Sequence, residues 1–374
     1  VFSVEVQKNS EWYNGYAYLD TMNEQAVKEF IKITHQRYKK YSGKYFGKVI
    51  PGIFTDEPNY GSHYFHYIWP AQPEANIVIS WTEKLPEVFK KRYGYDILNH
   101  LPEIYYDVEN QKIPKVRYHY FDCITHLFVN AFAKQIGDWC EKNKILFTGH
   151  VLSEETLISQ TNVVGSALRF YEYMQAPGMD LLTEHRREFN TAKQVSSVAN
   201  QFGRKWRLTE TYGCTGWDFP FSGHKALGDW QTALGINLRC QHLSWYTMLG
   251  EAKRDYPASI FYQSPWWQIY SKVENYFARI YAMLTKGKEI RDLLVIHPIE
   301  SMWAIFRMPE LDSEKKLTER DKDIIEYDRM FQQLCDVFLS NHIDFDYGDE
   351  EILSRWAKVQ KEHGCPIFKV NQAR

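Results

Sequence analysis

The chain has 374 residues, 44% hydrophobic and 25% charged, a globular composition that excludes a disordered or fibrous protein. Its 45 Lys and Arg against 47 Asp and Glu leave a net charge of -2, and no basic run supplies the electrostatic footprint of a nucleic-acid binder. No stretch reaches the roughly 18 uncharged apolar residues of a membrane span, and the N-terminal segment, carrying Glu5, Lys8, Glu11 and Asp20, lacks the apolar centre of a signal peptide. The chain as given therefore reads as soluble and cytoplasmic, with neither a membrane nor a nucleic acid as partner.

In chain order, Tyr16–Leu19 alternates as a short strand, and 23–41 carries a helical apolar stripe at Ala26, Phe30, Ile33 and Tyr38. The β-rich run 48–58 ends in Asp56-Glu57-Pro58, which puts an acidic pair at a strand tip. Helical stretches follow at 81–93 and 115–143, and the apolar run Ile145–Phe147 leads into Gly149-His-Val-Leu-Ser-Glu-Glu155. A helix over 167–175, a strand over 179–182 ending in Thr183-Glu184-His185, and a helix over 191–201 come next. Arg207-Leu-Thr-Glu-Thr-Tyr-Gly213 is another strand tip, followed by a helix near 227–234, the segment Gln241-His-Leu-Ser-Trp245 and a helix over 266–286. From Arg291 the pattern changes to strand 292–297, helix 324–340 and an alternating run at 343–347.

Strands alternating with helices predict a parallel sheet, because parallel neighbours need crossovers. Polar, aromatic and acidic residues recur at the strand ends, the placement expected where the strands of a (β/α)8 barrel open onto one mouth. A Gly-rich phosphate loop is missing: GKG at 286–288 lacks the spacing of a P-loop. Two units are expected, a barrel-like domain over 1–290 and a partial α/β domain over 291–374.

The six cysteines, Cys123, Cys140, Cys214, Cys240, Cys335 and Cys365, lie far apart without a CxxC pair and read as reduced thiols. Aromatic residues make 16% of the chain, and aromatic faces stack on the apolar C–H faces of sugars as well as packing cores. Cleaving a glycosidic bond needs one carboxylic acid to protonate the leaving oxygen and a second carboxylate to attack or to activate water. Glu57 is the candidate acid and Glu210 the candidate second carboxylate; the competing reading of each is a capping or salt-bridged residue. Glu154 and Glu155 are rivals, of which strand alternation would aim one inward. Asp56, His150, Glu184, His185, Tyr212 and His242 are candidate substrate-binding residues at the same tips, and Trp217, Trp245 and Trp266 are candidate stacking platforms. His150, His185 and His242 lack the spacing of a zinc site, so no metal ligand is assigned.

The segments 15–38, KVIPGIFTDEPNY at 48–60, FTGHVLSEE at 147–155, RLTETYG at 207–213 and 217–248 resemble the catalytic barrel of bacterial glycoside hydrolases, most closely the α-L-rhamnosidase-type family 106. The similarity covers roughly residues 14 to 300 and rests on the order of the motifs. It implies a (β/α)8 fold with the acid Glu57 at the end of the fourth strand and Glu210 at the end of the seventh, leaving Tyr16 to Asp20 for the third and hiding or omitting the first two. It further implies an inverting mechanism, calcium as an accompanying ion where no cofactor is otherwise required, a glycoside or oligosaccharide as substrate, and a flavodoxin-like domain beginning at Arg291. A retaining, β-galactosidase-like enzyme and a non-catalytic carbohydrate-binding protein are the alternatives. A carboxyl separation of roughly 5 to 5.5 Å marks retention and about 6.5 to 9.5 Å inversion.

Overall fold

The computed structural model describes residues 2–61, 78–107, 113–183, 188–250, 256, 260–307, 318–362 and 365–373. Five short parallel strands form its central sheet: β1 (Gly52–Thr55), β2 (Leu146–Gly149), β3 (Ala176–Asp180), β4 (Leu208–Thr211) and β5 (Leu238–Gln241). Their spatial order is their chain order. Helices supply every crossover, among them the long run Lys115–Phe128, continued through a π-helical turn at Val129–Lys134 into Gln135–Lys142, between β1 and β2. Phe189–Gln201 links β3 to β4, Phe221–Ala233 links β4 to β5, and Ser271–Leu284 follows β5.

Second-neighbour strands of a flat sheet lie about 9.5 Å apart. Here β2 and β4 approach within 8 Å across β3, so the sheet is curled into a half-barrel with its strand ends gathered at one mouth. The α/β class and the parallel order agree with the sequence reading. The closed eight-stranded barrel does not appear: among the described residues the curled sheet has the five strands named. The segment expected as a third barrel strand, Tyr16–Leu19, is not a strand; Tyr16 makes an isolated bridge to Ser10. Its alternating pattern serves another end. The Tyr18 hydroxyl accepts from the Asn59 amide at 3.2 Å, and the Thr21 hydroxyl donates to the Asn59 carbonyl at 2.5 Å, so the segment braces the loop that leaves β1.

The core lies between the sheet and its helices, where Phe128, Phe147 and Phe170 are fully buried. Beyond the half-barrel, β6 (Leu294–Ile296) and β7 (Asp346–Gly348) pair in parallel, with helices Ile299–Ile305 and Glu319–Ser340 between them. A hairpin of β8 (Ala357–Glu362) and β9 (Cys365–Val370), which the sequence reading did not foresee, closes the chain. This tail packs on helix Phe189–Gln201. Ser197 Oγ accepts from the Tyr347 amide at 2.8 Å, Gln201 Nε2 donates to the Tyr347 carbonyl at 2.6 Å, and Lys193 Nζ meets Asp344 Oδ1 at 2.6 Å. A polar helix is thereby buried on nearly every side, with Lys193, Ser197 and Gln201 bonded to the tail. No helix among the described residues is long and apolar enough to cross a membrane.

Candidate active site

The mouth is built from the tips of all five strands. Asp56 and Glu57 follow β1, His150 follows β2, Asp180 ends β3, Glu210 lies in β4 and His242 follows β5. The register fixes this convergence: Thr55 pairs with Gly149, Asp180 with Glu210, and Thr211 with Gln241. Two local features turn the chain at the tips. Gly149 takes φ +114°, and a Cβ there would stand 1.9 Å from the Thr55 carbonyl, so glycine alone lets β2 leave the sheet beside β1. Glu57 itself sits at φ +50°, a left-handed conformation that costs a non-glycine residue energy, and Asn59 Nδ2 donates to its carbonyl at 3.1 Å.

His150 is the hub. Its side chain is fully buried, its Nε2 donates to Glu210 Oε2 at 2.8 Å, and the same nitrogen lies 3.6 Å from Asp56 Oδ1. Burial lowers its pKa, but the hydrogen bond to Glu210 and the charges of Glu154, Asp180 and Glu210 outweigh burial and raise it to about 9. At neutral pH the imidazole is therefore an imidazolium among carboxylates. Phe54 closes one side of it, edge to face at 5.6 Å. Glu210 Oε1, its other oxygen, faces His242 Nε2 at 3.8 Å.

Three further carboxyl groups respond to this crowding. The pKa of Glu57 is raised, first by desolvation of the carboxyl and then by Asp56, Glu155 and Glu210, with His150 opposing. The residue as a whole reaches solvent, so the desolvation reflects protein packed around the carboxyl rather than an enclosed side chain. Asp180 is raised to about 7 by burial and by Glu210, Glu57 and Asp56, again with His150 opposing. Glu154, 3% exposed, is raised well above an ordinary carboxyl by burial, and its Oε1 accepts from the Asp180 amide at 3.0 Å.

Of the residues singled out from sequence, Asp56, Glu57, His150, Glu210 and His242 converge, with Glu154 beneath them and Glu155 half-buried beside it. Glu184 and His185 lie outside the described residues. Two candidates face elsewhere. Tyr212 is fully buried, its hydroxyl donating to the His224 carbonyl at 3.0 Å and accepting from Arg239 at 2.8 Å, so it has no polar tip left for a ligand. Trp266 packs against Phe221, His224 and Tyr270 as part of a small apolar cluster. Trp217 and Trp245 stack on each other, 4.5 Å apart at 5°; Trp245 is the buried partner, and Trp217 stays 42% exposed. The missed residue is Asp180. Its signal was an acid ending the run Pro177-Gly-Met, but the sequence reading extended that strand two residues further and looked for the tip at Glu184.

One ligand atom each of Asp56, His150 and Glu210 lie within 4.8 Å of one another, as do one each of Glu57, His150 and Asp180. Neither group fits calcium. Calcium takes six to eight oxygens, whereas each group offers two carboxylates and an imidazole nitrogen.

The chain matches the family described as alpha-L-rhamnosidase over residues 14–334. It is 24% identical over 269 residues to a protein of Formosa agariphila named "Putative beta-glucuronidase", covering 70% of this chain and 22% of that one. Among solved structures it is similar to the rhamnosidase from Novosphingobium sp. PP1Y, with a TM-score of 0.63 and 14% identity, over 94% of this chain and 30% of that chain. The chain thus spans less than a third of the length of either protein. With the motifs at successive strand tips and a family match over most of its length, this chain belongs to glycoside hydrolase family 106, the α-L-rhamnosidase family.

Proposed function

We propose that the chain carries the catalytic centre of a glycoside hydrolase that removes a terminal sugar, with an α-L-rhamnoside as its substrate class. Glu57 serves as the general acid and Glu210 as the second carboxylate. The observation that carries this reading is the convergence of the two residues on His150 from opposite parts of the curled sheet. The upward shift of the Glu57 pKa, led by desolvation, favours the protonated form that a general acid needs. Glu210 has Oε2 tied to the imidazolium, which leaves Oε1 as the atom to take a proton from water as that water attacks the anomeric carbon. Asp56 and His242 stand at the rim for sugar hydroxyls, and the free face of Trp217 offers a stacking surface. Residues 1–290 act in this reading as the barrel-like domain. Residues 291–374 open a flavodoxin-like unit, a reading supported by the parallel pair β6–β7 joined through helices.

The test is hydrolysis of a panel of nitrophenyl glycosides, the α-L-rhamnoside first and the β-galactoside second, by this chain and by a longer polypeptide containing it. Glu57→Gln and Glu210→Gln should each lower turnover by about 10²- to 10⁴-fold with circular dichroism unchanged. Unaltered turnover in either variant removes that residue from the mechanism, and binding without cleavage turns the protein into a carbohydrate-binding one.

A further inference from the structure

Asp180 enters the site with an unsatisfied oxygen. Its Oδ1 is buried and has no hydrogen-bond partner among the described residues, and the same holds for Nδ1 of His150. Its backbone is held from below, where the amide donates to Glu154 Oε1 at 3.0 Å, and the register sets its Cα opposite that of Glu210. One carboxylate oxygen of Asp180, one of Glu57 and one nitrogen of His150 lie within 4.8 Å of one another. Two carboxyl groups this close resist being ionised together, and a buried acceptor without a donor adds to that resistance.

We propose that Glu57 and Asp180 hold a single proton between them, with Asp180 the positioning residue that keeps Glu57 in its acid form. The catalytic consequence rests on the hydrolase reading above; the pair itself does not. The groups facing it are Asp56 from the tip of β1, His150, Glu154 and Glu155 from the segment after β2, Glu210 from β4 and His242 from the end of β5. Desolvation leads the upward shift of both; Glu57 is then among the charges that raise Asp180, while Asp56, Glu155 and Glu210 raise Glu57, and the His150 imidazolium opposes both. When Glu57 passes its proton to the glycosidic oxygen, the C–O electron pair leaves with that oxygen and the pair is left doubly ionised. That state is relieved by taking one proton back from solvent, which restores the acid for the next turnover. Because the two sites titrate together, the proton belongs to the pair rather than to either residue.

A pH-resolved double-mutant cycle tests the pair without needing catalysis: the wild type, Asp180→Asn, Glu57→Gln and the double variant, each thermally unfolded at pH 5 and pH 8. Asp180 has a folded-state pKa raised to about 7, so its contribution to stability is lost as pH rises through that value. Asp180→Asn should therefore raise Tm more at pH 8 than at pH 5, Glu57→Gln should act in the same direction, and at pH 8 the double variant should gain less than the sum of the singles. Additive effects, or effects equal at the two pH values, overturn the proposal. Both replacements are isosteric, and either single variant still reports the pH dependence if the other fails to fold. In an active enzyme, Asp180→Asn should also move the alkaline limb of the kcat/KM profile to lower pH by about one unit, and Asp180→Glu should restore it; a purely structural role lowers the rate without moving the limb. A wild type with no glycosidase activity but a coupled, pH-dependent cycle retires the hydrolase reading and keeps the pair. An active enzyme with an additive, pH-independent cycle does the reverse.

Discussion

His150 shows how one side chain sets the electrostatics of the mouth. A buried histidine without a hydrogen-bonded carboxylate loses its charge, as His35 and His297 do here: both are fully or nearly buried, neither ring nitrogen has a hydrogen-bond partner among the described residues, and both are held down at about 4. His150 is buried as deeply, yet its hydrogen bond to Glu210 and two further carboxylates reverse the balance. Since its folded-state pKa of about 9 lies above that of a free imidazole, the stability it adds is complete below about pH 6.5 and disappears as pH climbs through 9. Urea unfolding of the wild type should weaken over that interval, and His150→Gln should flatten this part of the curve; an equally steep decline in the variant would assign the charge to another group. The sequence alone marked His150 as a strand-tip residue, because Gly149-His150 follows an apolar run, but its protonation depends on residues 30 and 60 positions away.

Among the elements, the strand tips decide what meets what. Glu57, Gly149 and Tyr212 all take positive φ within two residues of a strand end, so each strand leaves the sheet by a sharp local turn. At Gly149 the turn and the close approach to Thr55 coincide, and Gly149→Ala should cost about 2–4 kcal/mol in denaturant unfolding; a loss under about 0.5 kcal/mol would mean that β1 and β2 separate without penalty. The same scale explains the misreadings. Tyr16–Leu19 alternates like a strand, but Tyr16 stays 72% exposed and Tyr18 turns to the Asn59 loop instead of to a neighbouring strand. Two residues of error at the end of β3 were enough to pass over Asp180, since the tip residue is the one a curled parallel sheet points at the mouth. Tyr212 went the other way: it follows Glu210 by two positions, and after the turn its ring is carried into the cluster with Phe219 and Leu227.

Taken as a whole, the molecule is held together by buried charge as well as by its core. Arg169, in the helix Ala167–Tyr171, reaches Asp349 at 3.0 Å, Asp122 at 2.9 Å and also Glu300, which ties the half-barrel to the tail helix Ile299–Ile305 and to the cap of the tail helix Glu350–Trp356. Asp328 of the long tail helix accepts from the amides of Leu157 and Ile158 at 2.7 and 3.2 Å, capping a helix of the half-barrel from outside. Asp349 is fully buried, holds Arg169 and Ser166, and caps its own helix through Glu351 and Ile352. Asp349→Ala leaves that guanidinium short of a partner and should lower stability by about 3–5 kcal/mol, measured by urea unfolding; a loss below about 1 kcal/mol would show that apolar packing alone seats the tail.

The amino-acid sequence by itself determined the alternation of strands and helices, the acidic character of their tips and, through the order of its motifs, the family. These are properties of short windows, where periodicity and turn chemistry act on neighbours in the chain. Tertiary structure alone decided which tip residues share the mouth: it drew in Asp180, turned Tyr212 and Trp266 into packing, stacked Trp217 on Trp245 and gave His150 its charge. The reason is geometric. Convergence depends on the register and curl of five strands separated by up to about ninety residues, and a pKa depends on every charge that this curl brings near, neither of which is encoded in any local stretch.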